Sequence, residues 1–306
     1  MKLWSHYHIA HSVDEALDLL TRYEGHAQVI AGGTDLLLDI QQGNHAPVEA
    51  LIDITKIQEL TAIEMNPAAD HQSLMVGAGV THNAIVSYQA IRARATCLAE
   101  SCGVIGGPQV RNVATIGGNV AHALPAADGT LSLVALRAKA EVASPDGRTW
   151  YDIEELFRGP GQSIVNPARQ IITRFQFPLS GVREASAFKR IMRPQGVALP
   201  ILGCAVWVRL DDAGERFEDV SVCIGPTGPT PRCSASLADA LVGQPADEHC
   251  IADSARLARD ILSARTSKYR ATAEYRTEMI ELLVRQSLEL AVTRAKTGEV
   301  EPEGIG

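Results

Sequence analysis

The 306-residue sequence has no long apolar run, no block of basic residues and no paired-cysteine motif. No stretch approaches the roughly 18 consecutive apolar residues of a membrane-spanning helix. With 28 Lys and Arg against 36 Asp and Glu, the net charge is −8, which argues against nucleic acid or an anionic membrane as a general partner. The first residues contain no apolar segment of signal-peptide length, and we expect a cytoplasmic protein.

The six cysteines lack metal-ligand spacing with the histidines. Cys97 and Cys102 are five residues apart, which suits two buried positions of a helix better than a ligand pair. We therefore expect the chain to hold no metal ion or iron–sulfur cluster of its own. The dinucleotide fingerprint G-x-G-x-x-G and the phosphate loop G-x-x-x-x-G-K-[ST] are also missing, so the common NAD and ATP folds are not expected.

The composition is that of a soluble globular protein, with 46% hydrophobic and 21% charged residues. A chain of this length suits two or three packed units. A change of character at 178–181 predicts a domain boundary there. The patterns predict strands at 27–31, 50–54, 73–80, 140–143, 149–153, 170–177, 187–191, 201–210 and 220–224, and the strands at 140–143 and 149–153 should form a hairpin. Helices are predicted after the capping box at 12–15, from the turn at Gly33 to an end at Gly43, after Thr81 as the N-cap, and at 91–102, 237–241, 251–262 and 273–296. The run at 106–112 is predicted to be irregular, and the polar tail from 298 to be disordered.

Two Gly-Gly segments stand out. Gly32-Gly33 lies between a predicted strand and a predicted helix, and Gly117-Gly118 lies upstream of a Pro-x-x-Asp turn that ends at Asp128. Glycine can adopt positive φ, and successive free N–H groups form a concave nest that suits a phosphate. Thr115 and Asn119 add side-chain donors, and the Asp128 carboxylate can accept from a sugar hydroxyl. The residues alone leave open a diphosphate cofactor or two purely structural turns.

The segments AGGTDLLL (31–38) and TIGGNVAHALPAAD (115–128) closely resemble the FAD-binding subunit of molybdenum hydroxylases, the medium chain of the xanthine dehydrogenase and carbon monoxide dehydrogenase group. Agreement continues at 186–189, 225–227 and 267–276, so the resemblance covers about residues 1–292. It implies an α+β fold. A two-part FAD-binding domain of the vanillyl-alcohol-oxidase (PCMH) type would occupy 1–178, with subdomains of about 1–55 and 56–178, followed by a smaller α+β domain at 179–296 and a polar tail at 297–306.

The resemblance also implies which residues hold FAD. The first loop would wrap the phosphates with its backbone amides, and it comprises Val29, Ile30, Ala31, Gly32, Gly33, Thr34, Asp35 and Leu36. Thr115, Gly118 and Asn119 would hold the pyrophosphate from the other side, and Asp128 would bind near the ribose. Lys189 would reach toward the flavin and stabilise negative charge on the reduced ring. Ile105 and Ile172 would lie against the flat rings of the cofactor.

Each of these assignments has a structural alternative. Lys189 fits a solvated strand lysine, and Asp128 fits the N-cap of the helix that follows. Ile105 and Ile172 also fit apolar positions that serve only to pack the protein core. No side chain is expected to act as a nucleophile or a general base.

The implied activity is oxidoreductase chemistry on FAD within a larger complex. Electrons would come from a large molybdopterin-binding partner, through two [2Fe-2S] clusters on a small partner, in a dimer of heterotrimers. A stand-alone FAD-dependent oxidase or reductase of the same fold is the alternative, and a cofactor-free scaffold domain is a third.

Overall fold

The computed structural model describes residues 3–66, 72–193, 199–267 and 270–304. The chain begins with a small parallel sheet of order β1-β3-β2. β3 is central because Leu51 and Ile52 are fully buried, whereas the outer strands are partly exposed. Its elements are β1 (His6–Ile9), α1 (Val13–Arg22), β2 (Ala27–Ile30), α2 (Leu36–Gln42) and β3 (Ala50–Asp53).

A second, antiparallel sheet of order β4-β5-β10-β6-β7 follows, with a hairpin of β8 and β9 beside it. The elements of this part are α3 (Gln58–Thr61), β4 (Ile63–Asn66), β5 (Ser73–Gly77), α4 (His82–Ser87), α5 (Gln89–Arg94), α6 (Thr96–Gly103), α7 (Pro108–Arg111), α8 (Ile116–Ala121), α9 (Asp128–Ala135), β6 (Lys139–Ser144), β7 (Gly147–Asp152), β8 (Phe157–Gly159), β9 (Gln162–Ser163) and β10 (Ile171–Pro178).

The C-terminal part contains a third sheet, which is antiparallel with the order β11-β12-β13. One face of this sheet packs on the buried helices α6 and α9, and the other packs on the long helix α12. The elements are β11 (Glu184–Met192), β12 (Pro200–Leu210), β13 (Phe217–Gly225), α10 (Ala235–Leu241), α11 (Glu248–Ile261) and α12 (Ala273–Thr297). Within the described ranges, no helix has the length and apolar character needed to cross a membrane.

Several local predictions are confirmed. Gly43 ends α2 in the left-handed conformation with φ +76°, and Thr81 caps α4 through the N–H of Ala84. The hairpin of β6 and β7 forms as expected. Cys97 and Cys102 are both buried positions of α6.

Other predictions are wrong. The helix expected at 91–102 is broken at Ala95 into α5 and α6. The run expected to be irregular at 106–112 contains α7, which Pro108 opens at the first helical position. The short strands β1 and β4 were not predicted, because they lie at sheet edges and have few buried residues.

The polar tail is held against the body of the protein as far as it is described. The Glu303 N–H donates to Glu100 Oε1 at 2.8 Å, and the Glu301 carbonyl accepts from Arg294 at 2.5 Å. The expectation of a disordered tail is therefore wrong for residues 299–304, because buried charges on α6 and α12 bind its backbone.

Candidate functional site

The first Gly-Gly loop presents free backbone donors. It joins β2 to α2, and Gly33 adopts φ +67°. The N–H groups of Gly32, Gly33, Thr34 and Asp35 make no hydrogen bond to any described part of the chain. Asp35 precedes the helix without capping it through its side chain. Four successive unpaired donors at a strand-to-helix turn form a nest for an anion.

The second Gly-Gly pair has a different form. It lies inside α8, where Thr115 is the N-cap and accepts from the Gly118 N–H at 3.1 Å. The N–H groups of Ile116, Gly117 and Asn119 donate to the carbonyls of Val80, Ala78 and Thr115, respectively. The expectation of a second backbone nest is therefore wrong, because neighbouring carbonyls already occupy these amides.

The side chain of Asn119 still offers a donor. Its Oδ1 accepts from the Thr130 N–H and the Thr130 hydroxyl, both at 3.0 Å. This fixes the orientation of the amide, whose Nδ2 group makes no hydrogen bond among the described residues. Gly118, one residue earlier, is exposed. α8 therefore contributes a side-chain amide and an open glycine surface, not a set of free backbone donors.

The two Gly-Gly segments lie against each other. A Cβ added to Gly32 would stand 2.1 Å from the carbonyl oxygen of Val113, two residues before Thr115. Only glycine permits this approach, because real Cβ atoms do not come so close to a backbone oxygen. The nest of residues 32–35 is thereby placed beside the start of α8, as the family resemblance implied for the two loops.

Asp128 is the first residue of α9 and is buried, with 3% of its surface exposed. Its Oδ2 accepts from Arg190 Nη1 at 2.6 Å, whereas its Oδ1 is buried without a hydrogen-bond partner in the described chain. Burial raises the pKa of Asp128 to about 6, against the lowering effect of the Arg190 guanidinium. The N-cap interpretation is wrong, because Ala127 is the N-cap and Asp128 makes no capping bond.

Arg190 was missed in the sequence. It comes from β11 and is 6% exposed in its side chain, and its Nη2 donates to the Val104 carbonyl. The signal was present in the strand alternation, because adjacent residues of a strand face opposite sides. A resemblance that pointed to Lys189 left its neighbour without an assigned role.

The half-buried Ile105 lies in the loop between α6 and α7. Arg111 Nη1 donates to the carbonyls of Ile105 and Gly106 at 3.3 and 3.2 Å, so this arginine shapes the loop. Ile172 is 6% exposed and packs in the core of the second sheet. Packing alone thus accounts for Ile172, whereas Ile105 presents an apolar surface outside the core.

Lys189 lies on the face of β11 opposite to Arg190, and its ammonium group pairs with the Glu303 carboxylate of the tail. The structure therefore brings together the first loop, the start of α8 and the Asp128 region, and it places Lys189 on another face. Part of the run at 267–276, residues 268–269, lies outside the described residues.

Two family models match the chain in order along its length. The first is the FAD binding domain in molybdopterin dehydrogenase, over residues 3–180, and the second is the CO dehydrogenase flavoprotein C-terminal domain, over residues 186–291. Because the first model alone covers more than half of the chain, the protein belongs to the FAD-binding family of molybdopterin dehydrogenases.

Curated relatives and a solved structure agree with this family. The chain is similar to the xanthine dehydrogenase FAD-binding subunit of Escherichia coli O157:H7, with 29% identity over 94% of this chain and 96% of the relative. It is also similar to the carbon monoxide dehydrogenase medium chain of Afipia carboxidovorans, with 27% identity over 95% of this chain and 97% of the relative. The structure of carbon monoxide dehydrogenase from Hydrogenophaga pseudoflava matches with a TM-score of 0.87 and 27% identity, over 95% of this chain and 98% of that chain.

The predicted family and the α+β class, an FAD-binding part followed by a C-terminal part, are confirmed. The relatives are named as subunits of dehydrogenases, which are oxidoreductases, as predicted.

Proposed function

We propose that this chain is the FAD-carrying subunit of a multi-subunit molybdenum hydroxylase or dehydrogenase. It would pass electrons from [2Fe-2S] clusters on a partner, through its FAD, to an external acceptor. The observation that carries the proposal is the nest at residues 32–35, whose N–H groups lack partners within the described ranges and which the contact of Gly32 with Val113 holds beside α8. A diphosphate bridge needs such a set of donors without requiring a net positive charge.

The residues of the site fit the parts of FAD. The N–H groups of residues 32–35 would bind pyrophosphate oxygens, and Asn119 Nδ2 and the Thr115 hydroxyl would donate from the other side. Asp128 Oδ1, which has no partner among the residues described, would accept from a sugar hydroxyl, and Ile105 would lie against a flat ring. Bound FAD supplies the redox chemistry, since a flavin takes up electrons one at a time and can release two. The protein chain would orient the FAD and shield it from solvent.

The other predicted contacts and the domain limits are part of this proposal. Val29, Ile30, Ala31 and Leu36 flank the nest, and Gly118 would allow close approach to the cofactor. Ile172 stays a prediction from the resemblance, whereas Lys189 is left out of the proposed site, because its ammonium group pairs with Glu303 on the face of β11 opposite to Arg190. The three sheets support an FAD-binding domain at 1–178, with parts of about 1–55 and 56–178, and a C-terminal domain at 179–296.

We place the chain in a cytoplasmic complex with a large molybdopterin-binding subunit and a small [2Fe-2S] subunit, as a dimer of heterotrimers. The support is that relatives of nearly the same length are named medium chains or FAD-binding subunits. Affinity purification from the native cell followed by mass measurement tests this assembly. A chain that purifies alone, without iron–sulfur absorbance, would contradict it.

The first experiment is an absorption spectrum of the purified chain, followed by acid precipitation. The two visible bands of oxidised flavin, released into the supernatant as FAD, are expected. A pellet that keeps the colour would indicate covalent flavin, and turnover of a small molecule by the isolated chain would favour the stand-alone oxidase. A colourless chain that does not take up FAD would overturn the flavin function. The cofactor-free scaffold domain would then be the remaining hypothesis.

Asn119→Asp tests the site itself. Asp retains the Oδ1 acceptor for Thr130 but places a carboxylate oxygen where the free amide stands, so the Kd for FAD should rise about 10- to 100-fold. Asn166→Asp is the matched control, because this exposed side chain also accepts from a backbone N–H through Oδ1, that of Ala168 at 3.0 Å. Equal FAD affinity in the two variants would exclude Asn119 from the site.

A further inference from the structure

The strand β11 separates its side chains into two environments. Ala185 and Ala187 pack in the C-terminal core with α12, and Ile191 packs against the same core. Phe188 packs in the core of the FAD-binding part, and the Ser186 hydroxyl accepts from the Cys97 N–H of α6 at 3.1 Å. Because side chains alternate along a strand, Arg190 shares the face of residues 186 and 188, and Lys189 shares the other face. Of the two cationic residues of β11, Arg190 is therefore the one directed toward the FAD-binding part.

The two cations also differ in how their charges are matched. Lys189 is paired with Glu303 of the tail, and both side chains are partly exposed to solvent. Arg190 is buried against Asp128, and the pair retains one unpartnered donor and one unpartnered acceptor among the described residues. These atoms are Arg190 Nε and Asp128 Oδ1.

A buried ion pair that keeps one donor and one acceptor without hydrogen bonds is unfavourable, unless a ligand forms the missing hydrogen bonds. A hydroxyl group can do so, because it donates one hydrogen bond and accepts others. Met192 lies beside the guanidinium, with its sulfur 3.3 Å from Arg190 Nη2, and it is 45% exposed. An unbranched, flexible thioether at the end of the strand can move to admit such a group.

We propose that Arg190 and Asp128 together bind one sugar or polyol hydroxyl of the cofactor, with Arg190 Nε donating and Asp128 Oδ1 accepting, and that Arg190, not Lys189, is the cation of β11 that contacts the cofactor. This inference rests on the proposed FAD function. The hydroxyl belongs either to the ribityl chain or to the ribose of the adenosine half, and both present the same chemistry.

The test uses the full-length chain freed of flavin and titrated with FAD. Arg190→Lys retains a positive charge beside Asp128 but loses the Nε donor, and its Kd for FAD should rise about tenfold or more. Lys189→Met should stay within about twofold of the wild-type Kd, because its charge lies on the other face of β11. The unfolding midpoint of each apo variant shows whether a change in affinity reflects loss of the fold.

A second measurement changes the ligand as well as the protein. FAD analogues that lack one ribityl hydroxyl, or the 2′- or 3′-hydroxyl of the adenosine ribose, are titrated against the wild-type chain and Arg190→Lys. One analogue should bind the wild type about tenfold more weakly than FAD and show no further loss with the variant. Its identity would decide between ribityl and ribose.

The outcomes separate the two claims. Suppose that the wild type binds FAD and that Asn119→Asp weakens this binding. If Arg190→Lys then binds FAD as tightly as the wild type does, and every deoxy analogue binds the wild type as tightly as FAD does, the Arg190 inference fails and the proposed function stands. Weakening by Lys189→Met instead would assign the cation to Lys189. If wild type takes up no FAD, the proposed function fails.

Discussion

Gly117 of α8 lies directly against Ala78, the residue that follows β5. A Cβ added to Gly117 would stand 2.5 Å from both the Cβ and the carbonyl oxygen of Ala78, and that oxygen already accepts from the Gly117 N–H at 2.8 Å. The neighbouring Gly118 is exposed, and within the described structure a Cβ there would meet only the Thr115 hydroxyl, at 3.3 Å. The two adjacent glycines thus have different physical roles, one in helix packing and one at an open surface.

Gly117→Ala should destabilise the fold by about 2–4 kcal/mol, because the backbone of Ala78 must move to admit the methyl group. Gly118→Ala should change the stability of the apo chain by less than about 1 kcal/mol, since alanine favours a helix. Chemical denaturation of the two apo variants measures both values. The proposed function adds that Gly118→Ala weakens FAD binding. Equal destabilisation by the two substitutions would contradict the packing role of Gly117.

The ion pair of Glu100 and Arg294 joins the FAD-binding part to α12. The side chains are 2% and 3% exposed and lie 2.7 Å apart, and Glu100 Oε2 also accepts from the Phe188 N–H of β11. Glu100→Gln should cost about 3–5 kcal/mol, because it leaves a buried guanidinium without its counter-charge. The exposed pair Arg285–Glu289, on the same helix, is the control. Glu289→Gln should cost under about 1 kcal/mol in the same denaturation experiment. Similar costs would show that the Glu100 pair is not a buried link.

Truncation after Gly298 tests the docking of the tail. It removes the Glu303 N–H from Glu100 and the Glu301 carbonyl from Arg294, and the apo chain should lose about 1–3 kcal/mol of unfolding free energy. Glu303→Gln keeps both backbone contacts and removes only a partly exposed ion pair with Lys189, so it should cost less than about 1 kcal/mol. A truncated chain as stable as the full chain would show that the tail adds nothing to the fold.

His82 should make the protein sensitive to acid. It is 1% exposed, its Nδ1 has no partner in the described chain, and burial followed by repulsion from Arg111 lowers its pKa to about 4. The folded-state pKa lies below the unfolded value of 6.5, so the unfolded chain binds more protons between pH 6.5 and 4. Neutral His82 therefore leaves the folded state at its full stability above pH 6.5. About 3 kcal/mol of the unfolding free energy is lost as the pH falls from 6.5 to 4.

The experiment compares the wild type with His82→Gln in denaturant titrations at several pH values. The wild type should lose stability relative to the variant from pH 6.5 to 4. The contribution of Asp128 to the pH dependence of stability has the opposite sign. Its raised pKa makes the free energy of unfolding fall as the pH rises from about 4 to 6. The difference between wild type and variant removes that contribution, since both chains contain Asp128. Parallel profiles would show that His82 does not titrate as described.

The family resemblance, the two Gly-Gly segments and most of the longer elements were evident from the sequence alone. These depend on local signals, such as the Thr81 cap, the Gly43 helix end and the alternation of β11, which act over a few residues. The adjacency of the two glycine segments was implied by the family resemblance, and the contact of Gly32 with Val113 agrees with it.

Which backbone groups of those segments are free to bind a ligand depends on how the chain packs in three dimensions. The amides of Ile116 and Gly117 in α8 donate to the carbonyls of Val80 and Ala78, more than 30 residues earlier. Those at residues 32–35 have no hydrogen-bond partner in the described parts of the chain. The partners of Lys189 and Arg190 lie 114 and 62 residues away, in the tail and in α9. Local propensity carries no information about contacts at such separations, since they form when the sheets and helices pack. For that reason the family resemblance implied a diphosphate cofactor, and the fold showed which backbone donors are free.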